Sequence, residues 1–156
     1  STKVSFENSV VAAYVNAACS SDSCKVFAYD GGGLDWETPP PNINSGENWA
    51  YSGDLAIENI GTGEADLVAV LPNINSDVCT RINVDLGIHA ASVAPPVIAT
   101  VTVAEFTGTY YAAPTAVSDP LIAQQKSGCI QATALGGSAV TAAANVYVYY
   151  QVLIAR

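Results

Sequence analysis

The residues best suited to chemistry lie on one stretch of this chain, the loop from Gly31 to Asn48 and its immediate flanks. Asp30, Asp35, Glu37 and Glu47 set carboxylates beside Trp36 and Trp49. Hard carboxylate oxygens suit Ca²⁺, although the ligand spacing of an EF-hand is missing. Carboxylates flanked by aromatic platforms also suit a sugar-binding site or a glycosidase. The plainer reading is a solvated acidic loop whose tryptophans pack inward, and residue types alone favour it. The candidate ligand-binding set is therefore Trp36, Trp49, Asp30, Asp35 and Glu37. No catalytic residue, resident metal or cofactor is assigned.

The remaining motifs read as structure. His89 is the single histidine and has no orienting carboxylate near it in sequence, so a triad base is not expected there. Gly31-Gly32-Gly33 and Gly61-Thr62-Gly63 lack the lysine of a phosphate loop and are read as turns. Tyr147, Tyr149 and Tyr150, with Tyr110 and Tyr111, are expected as core or cross-strand pairs, with an interface for protein or glycan as the alternative.

The chain has 156 residues, half of them hydrophobic, which is enough for one domain (1–156) with a single core. Its formal net charge is −9, with only five Lys and Arg. Such an acidic balance points away from nucleic acid and from anionic membrane surfaces. The four cysteines, without any C-x-x-C, fit disulfides better than zinc. Of the three possible pairings, Cys19–Cys24 and Cys79–Cys129 are favoured, a local staple and a long clamp. Reduced, buried thiols in a cytosolic protein are the alternative. Disulfides imply an extracellular, cell-surface or periplasmic setting. The opening Ser1-Thr2-Lys3 reads as a mature or trimmed product, in which any anchor would already have been cut away.

Several elements must position these residues. Phe6, Val10, Tyr14 and Ala18 recur every four positions and predict an amphipathic helix over Ser5–Ala18. Val26–Tyr29 reads as a strand, and Gly31–Asn48 as a long loop free of regular structure. Trp49–Tyr51 and Ala56–Ile60 are short strands around Gly53-Asp54. Asp66–Leu71 is an apolar strand or short helix ended by Pro72. A helix begins at Asn75-Ser76-Asp77, buries Val78, Cys79, Ile82 and Leu86, and stops at Gly87. Val97–Val103 alternates as a strand. Residues 112–127 form a connection with one helical turn near Leu121–Gln125. Ile130–Thr133 and Asn145–Ile154 form a closing hairpin whose second strand is central.

Blocks spread along the chain carry a resemblance. They are Ser5-Phe6-Glu7-Asn8-Ser9-Val10-Val11, Gly31-Gly32-Gly33-Leu34 with Pro39-Pro40-Pro41, Gly61-Thr62-Gly63 and Leu71-Pro72-Asn73. They continue with Val78-Cys79-Thr80-Arg81-Ile82-Asn83, Phe106-Thr107-Gly108, Gly128-Cys129 and Tyr149-Tyr150-Gln151-Val152-Leu153-Ile154-Ala155-Arg156. With them the chain resembles bacterial pilin-like or prepilin-like surface proteins. The resemblance implies an α+β, pilin-like head with an N-terminal helix packed on an antiparallel sheet. It also implies that Cys79 and Cys129 clamp a loop region to that sheet.

The expected function is that of a non-enzymatic structural subunit of a pilin-like surface or secretion apparatus. Its partners would be further copies or other pilin-like subunits, and its only membrane contact would be through the absent N-terminal hydrophobic helix. The alternative is a secreted, adhesin-like module that binds carbohydrate or another ligand through the Trp36/Trp49 loop.

Overall fold

The computed structural model describes residues 4–6, 16–44, 48–102, 114–133 and 146–156. Six strands and one α-helix organise them: β1 (Ala50–Ile57), β2 (Asp66–Ile74), α1 (Ser76–Asp85), β3 (Val97–Thr102), β4 (Thr115–Val117), β5 (Ser127–Thr133) and β6 (Val146–Ile154). The strands form one sheet in the order β3-β5-β6-β2-β1-β4. Its two end strands, β3 and β4, lie against each other, so the sheet curls into a nearly closed barrel.

Strand alternation builds the interior. Along β6, Val146, Val148, Tyr150 and Val152 are buried, while Tyr147, Tyr149 and Gln151 between them are half-buried on the other face. The inward set meets Val68 and Val70 of β2, Leu55 and Ile57 of β1, and Ile130 of β5 in the main core. The outer face is covered as well. Leu67 packs with Phe6, Val26, Phe27 and Tyr51, and Leu71 packs with Cys79, Cys129 and Trp49. β6 therefore is central, as its apolar residues on both faces predict.

The expected α+β architecture is corrected: the described residues are mostly β, and among them no N-terminal helix packs on the sheet. Ser5 is extended and bridges Lys25 in parallel. Its N–H donates to the Cys24 carbonyl and its carbonyl accepts from Val26, both at 2.9 Å. Ser5 and Phe6, the described start of the expected helix, are therefore not helical. At the other end Asn16 makes an Asx turn, its side-chain oxygen accepting from the Ala18 N–H at 3.0 Å. Residues 7–15 of the expected helix lie outside the described residues. The sheet is also mixed, because β1–β4 and β3–β5 are parallel pairs.

Smaller differences have local causes. Val26–Tyr29 forms turns, since Gly31 and Gly33 fold back to donate to the Ala28 carbonyl. The two short strands around Gly53-Asp54 are one strand, β1, with a register shift between Ser52 and Leu55. β2 runs on through Pro72 to Ile74, with its own shift against β6 between Leu71 and Ile74, where Asn73 takes a positive φ of 55°. The connection over 112–127 contains the short strand β4. The hairpin loop at 134–145 and the pair Tyr110-Tyr111 lie outside the described residues.

Helix α1 ends as predicted. Gly87 (φ 73°) donates to Val84, and Ile88 donates to Asn83 at 2.8 Å, a Schellman closure that glycine permits at no steric cost. Its buried side is not the expected stripe. Cys79 and Asn83 are fully buried, whereas Leu86 is exposed. Both favoured disulfides are present, Cys19–Cys24 and Cys79–Cys129. Among the described residues, no helix is long and apolar enough to cross a membrane.

Candidate functional site: an aromatic groove on the outer barrel face

Strand alternation sends Tyr51 of β1, Ala69 of β2 and Tyr149 and Gln151 of β6 to the outside of the barrel, where they form the floor of a groove. The Tyr149 hydroxyl donates to Gln151 Oε1 at 3.0 Å, tying these two floor side chains together. Burial raises the phenols of Tyr51 and Tyr149 above their ordinary value, so both remain neutral near pH 7.

The walls come from the N-terminal third of the chain. Phe6 stacks on Tyr51, with ring centroids 4.1 Å apart and planes within 13°. Phe27 meets Phe6 edge-on at 6.2 Å and Trp36 edge-on at 5.4 Å. On the opposite side Trp49 stands edge-on to Tyr149 at 6.1 Å. Two features hold the wall in place. The Cys19–Cys24 disulfide closes a short loop ahead of Val26. The glycines after Tyr29 allow close backbone packing: a Cβ on Gly31 would lie 2.1 Å from the Lys25 carbonyl oxygen, and one on Gly32 would lie 2.5 Å from that of Val26. Gly31 and Gly32 are therefore a packing device, and only glycine fits at these two positions.

The groove has two adjoining parts, each of about 360 Å³, which share Phe27, Leu34, Trp49 and Tyr51. One is apolar and reaches Phe6, Ala69 and Leu153. The other adds Asp35, Trp36 and Glu37. Four of the five residues singled out in the sequence thus share one cavity: Trp36, Trp49, Asp35 and Glu37. Asp30 is exposed and lines neither part, and Glu47 lies outside the described residues. The indole N–H of Trp36 is buried and has no hydrogen-bond partner among the described residues.

Sequence reasoning missed Phe6, Phe27 and Tyr51 as groove residues, while Tyr149 stands among the tyrosines whose alternative reading is a protein or glycan interface. A signal existed for Tyr51, which follows Trp49 by two positions and so shares its side of an extended segment. None existed for Phe6, because its four-residue spacing mimicked a helix.

The remaining sequence candidates take structural roles. His89 sits between the Asn83 side-chain amide, 3.1 Å from Nε2, and the Ala90 carbonyl, 2.9 Å from Nδ1. Only a protonated Nδ1 can donate to that carbonyl, which leaves Nε2 to accept from Asn83. Gly61 closes on the C-terminus, where the Thr62 N–H donates to the Arg156 carbonyl. Among the described residues, no three His, Cys, Asp or Glu side chains are grouped to hold a metal ion. Compared with protein-family models, curated proteins and solved structures, the chain finds no match.

Proposed function

We propose that this protein is a non-enzymatic, adhesin-like binding module that works outside the cytoplasm and takes a saccharide in its aromatic groove. One observation carries the reading: Trp49, which follows the acidic loop, meets Asp35, Trp36 and Glu37 of that loop in one cavity beside Tyr51 and Phe27. Aromatic faces bind the C–H faces of sugar rings, and carboxylates accept from their hydroxyls. A cleft that is mostly apolar with a few converging polar groups is the usual form of a small-ligand site. The two disulfides suit an oxidising compartment.

The structural-subunit reading is compatible with the same groove, the module then being the head of a larger surface assembly. Tyr29 (96 % exposed) and Leu34 (59 %), close together in the chain beside the groove, favour a further protein contact there.

A glycan array tests the saccharide reading. Saturable binding is expected, and Trp36→Ala should abolish it while the protein stays folded by far-UV circular dichroism. A silent array, or binding indifferent to Trp36→Ala, overturns it.

A further inference from the structure

This inference rests on the saccharide reading and specifies the ligand's charge. We infer that the groove selects an amino sugar with a free ammonium group, held in the acidic part of the cleft between Trp36, Trp49 and Tyr51. Three observations support this.

The first is charge. Among the described residues, the side chains that line this part are aromatic or aliphatic except for Asp35 and Glu37, and neither part of the groove is lined by Lys, Arg or His. Lys25, adjacent to the wall residue Val26, is engaged by Asp22 at 3.1 Å. With a net charge of −9 on the whole chain, the cavity lies in a field that attracts cations.

The second is ring geometry. Phe27 and Trp36 meet at 85°, and Phe27 and Tyr51 at 58°. These rings line the acidic part together with Trp49, and aromatic faces attract a compact cation.

The third is the Trp36 indole N–H, buried and without a hydrogen-bond partner among the described residues. An ammonium cannot satisfy it, because an ammonium only donates. A ligand that answers all the groups present must carry a cation and an oxygen acceptor side by side. The neighbouring ammonium and hydroxyl of an amino sugar do so, with a small turn of the indole bringing its N–H to the oxygen. Its ring C–H groups then extend along the adjoining apolar part. A lysine side chain offers the cation without the adjacent acceptor.

The test compares two oligomers of one skeleton, the hexamer of glucosamine and the neutral hexamer of N-acetylglucosamine, at a pH where the free amines are charged. Pentalysine serves as the third ligand. The glucosamine hexamer should bind at least about tenfold more tightly than its neutral counterpart, an advantage that shrinks as salt is raised. The double variant Asp35→Asn/Glu37→Gln should erase the advantage, whereas Asp77→Asn, on the exposed helix start, should not. Equal or tighter binding of the neutral hexamer, lost in Trp36→Ala, overturns the inference but leaves the saccharide reading intact. Pentalysine binding as tightly as the glucosamine hexamer also overturns it. Binding of the cationic oligomers that survives Trp36→Ala would be bulk attraction to an acidic chain, and would sink both.

Discussion

The side-chain amide of Asn83 pairs with the backbone of Cys129 on both sides: its oxygen accepts from the Cys129 N–H at 2.8 Å, and its NH₂ donates to the Cys129 carbonyl at 2.7 Å. A helix residue thus stands in for a neighbouring strand, satisfying a peptide that helix α1 would otherwise bury unpaired. Four residues earlier on the same helix, Cys79 bonds covalently to the same Cys129.

Removing that amide should be costly. Asn83→Ala leaves a buried N–H and a buried carbonyl without partners, and the expected loss is about 2–4 kcal/mol. Urea denaturation measures it. A loss below about 1 kcal/mol would mean that water replaces the amide.

The two disulfides should contribute unequally, and to different properties. Cys79–Cys129 spans 50 residues and Cys19–Cys24 spans five. Loop-closure entropy predicts that Cys79→Ala/Cys129→Ala costs about 4 kcal/mol and Cys19→Ala/Cys24→Ala about 2 kcal/mol. The second variant should also weaken ligand binding, since it frees the groove wall, while the barrel still unfolds cooperatively. The reverse order of stabilities would contradict this.

Asp66 should give a recognisable acid-range slope. It is fully buried, with Oδ2 accepting from the Ile57 N–H and Oδ1 from the Arg156 N–H, each at 3.0 Å. Burial raises its pKa above the ordinary 3.8, outweighing the opposing pull of those hydrogen bonds and the Arg156 charge. The folded state then binds more protons than the unfolded chain just above pH 3.8. The contribution of Asp66 is therefore fully present below that pH and is lost as pH rises through the raised value. The stability of the native protein relative to Asp66→Asn should be greater at about pH 3 than at neutrality. A difference that grows with pH would overturn the assignment.

Gly61 and Gly63 offer a matched pair, both at positive φ, 65° and 84°. A Cβ on Gly61 would lie 2.0 Å from the Arg156 carbonyl oxygen, whereas one on Gly63 would meet nothing within 4 Å. Gly63→Ala should cost about 1 kcal/mol, the conformational penalty alone. Gly61→Ala should cost more, about 2–3 kcal/mol, as the last residue is pushed from its seat. Equal losses would show that the C-terminal residue yields freely.

What the sequence discloses divides along physical lines. β6 and α1 are legible because each advertises itself locally, by β-branched and aromatic density in one case and by Asp77 and Gly87 in the other. The helix expected over Ser5–Ala18 is corrected at its described start, where Phe6 is not helical and is buried through stacking on Tyr51, a contact that crosses 45 positions between residues numbered 6 and 51. Asn83 is invisible because a polar residue on a helix reads as exposed unless its strand partner is known. The groove is half legible. Trp36, Asp35 and Glu37 are neighbours on one loop, but their aromatic surroundings are assembled from β1, β6 and the segment around Phe27.

The groove is made of two unlike materials: a floor of barrel strands and a wall of irregular chain with its own covalent staple. Substitutions along residues 26–37 can therefore reshape what the cleft accepts while the hydrophobic interior stays untouched. Stability and ligand preference become separately adjustable, so relatives of one frame could diverge in taste without relearning how to fold. For an engineer, that wall is the place to begin.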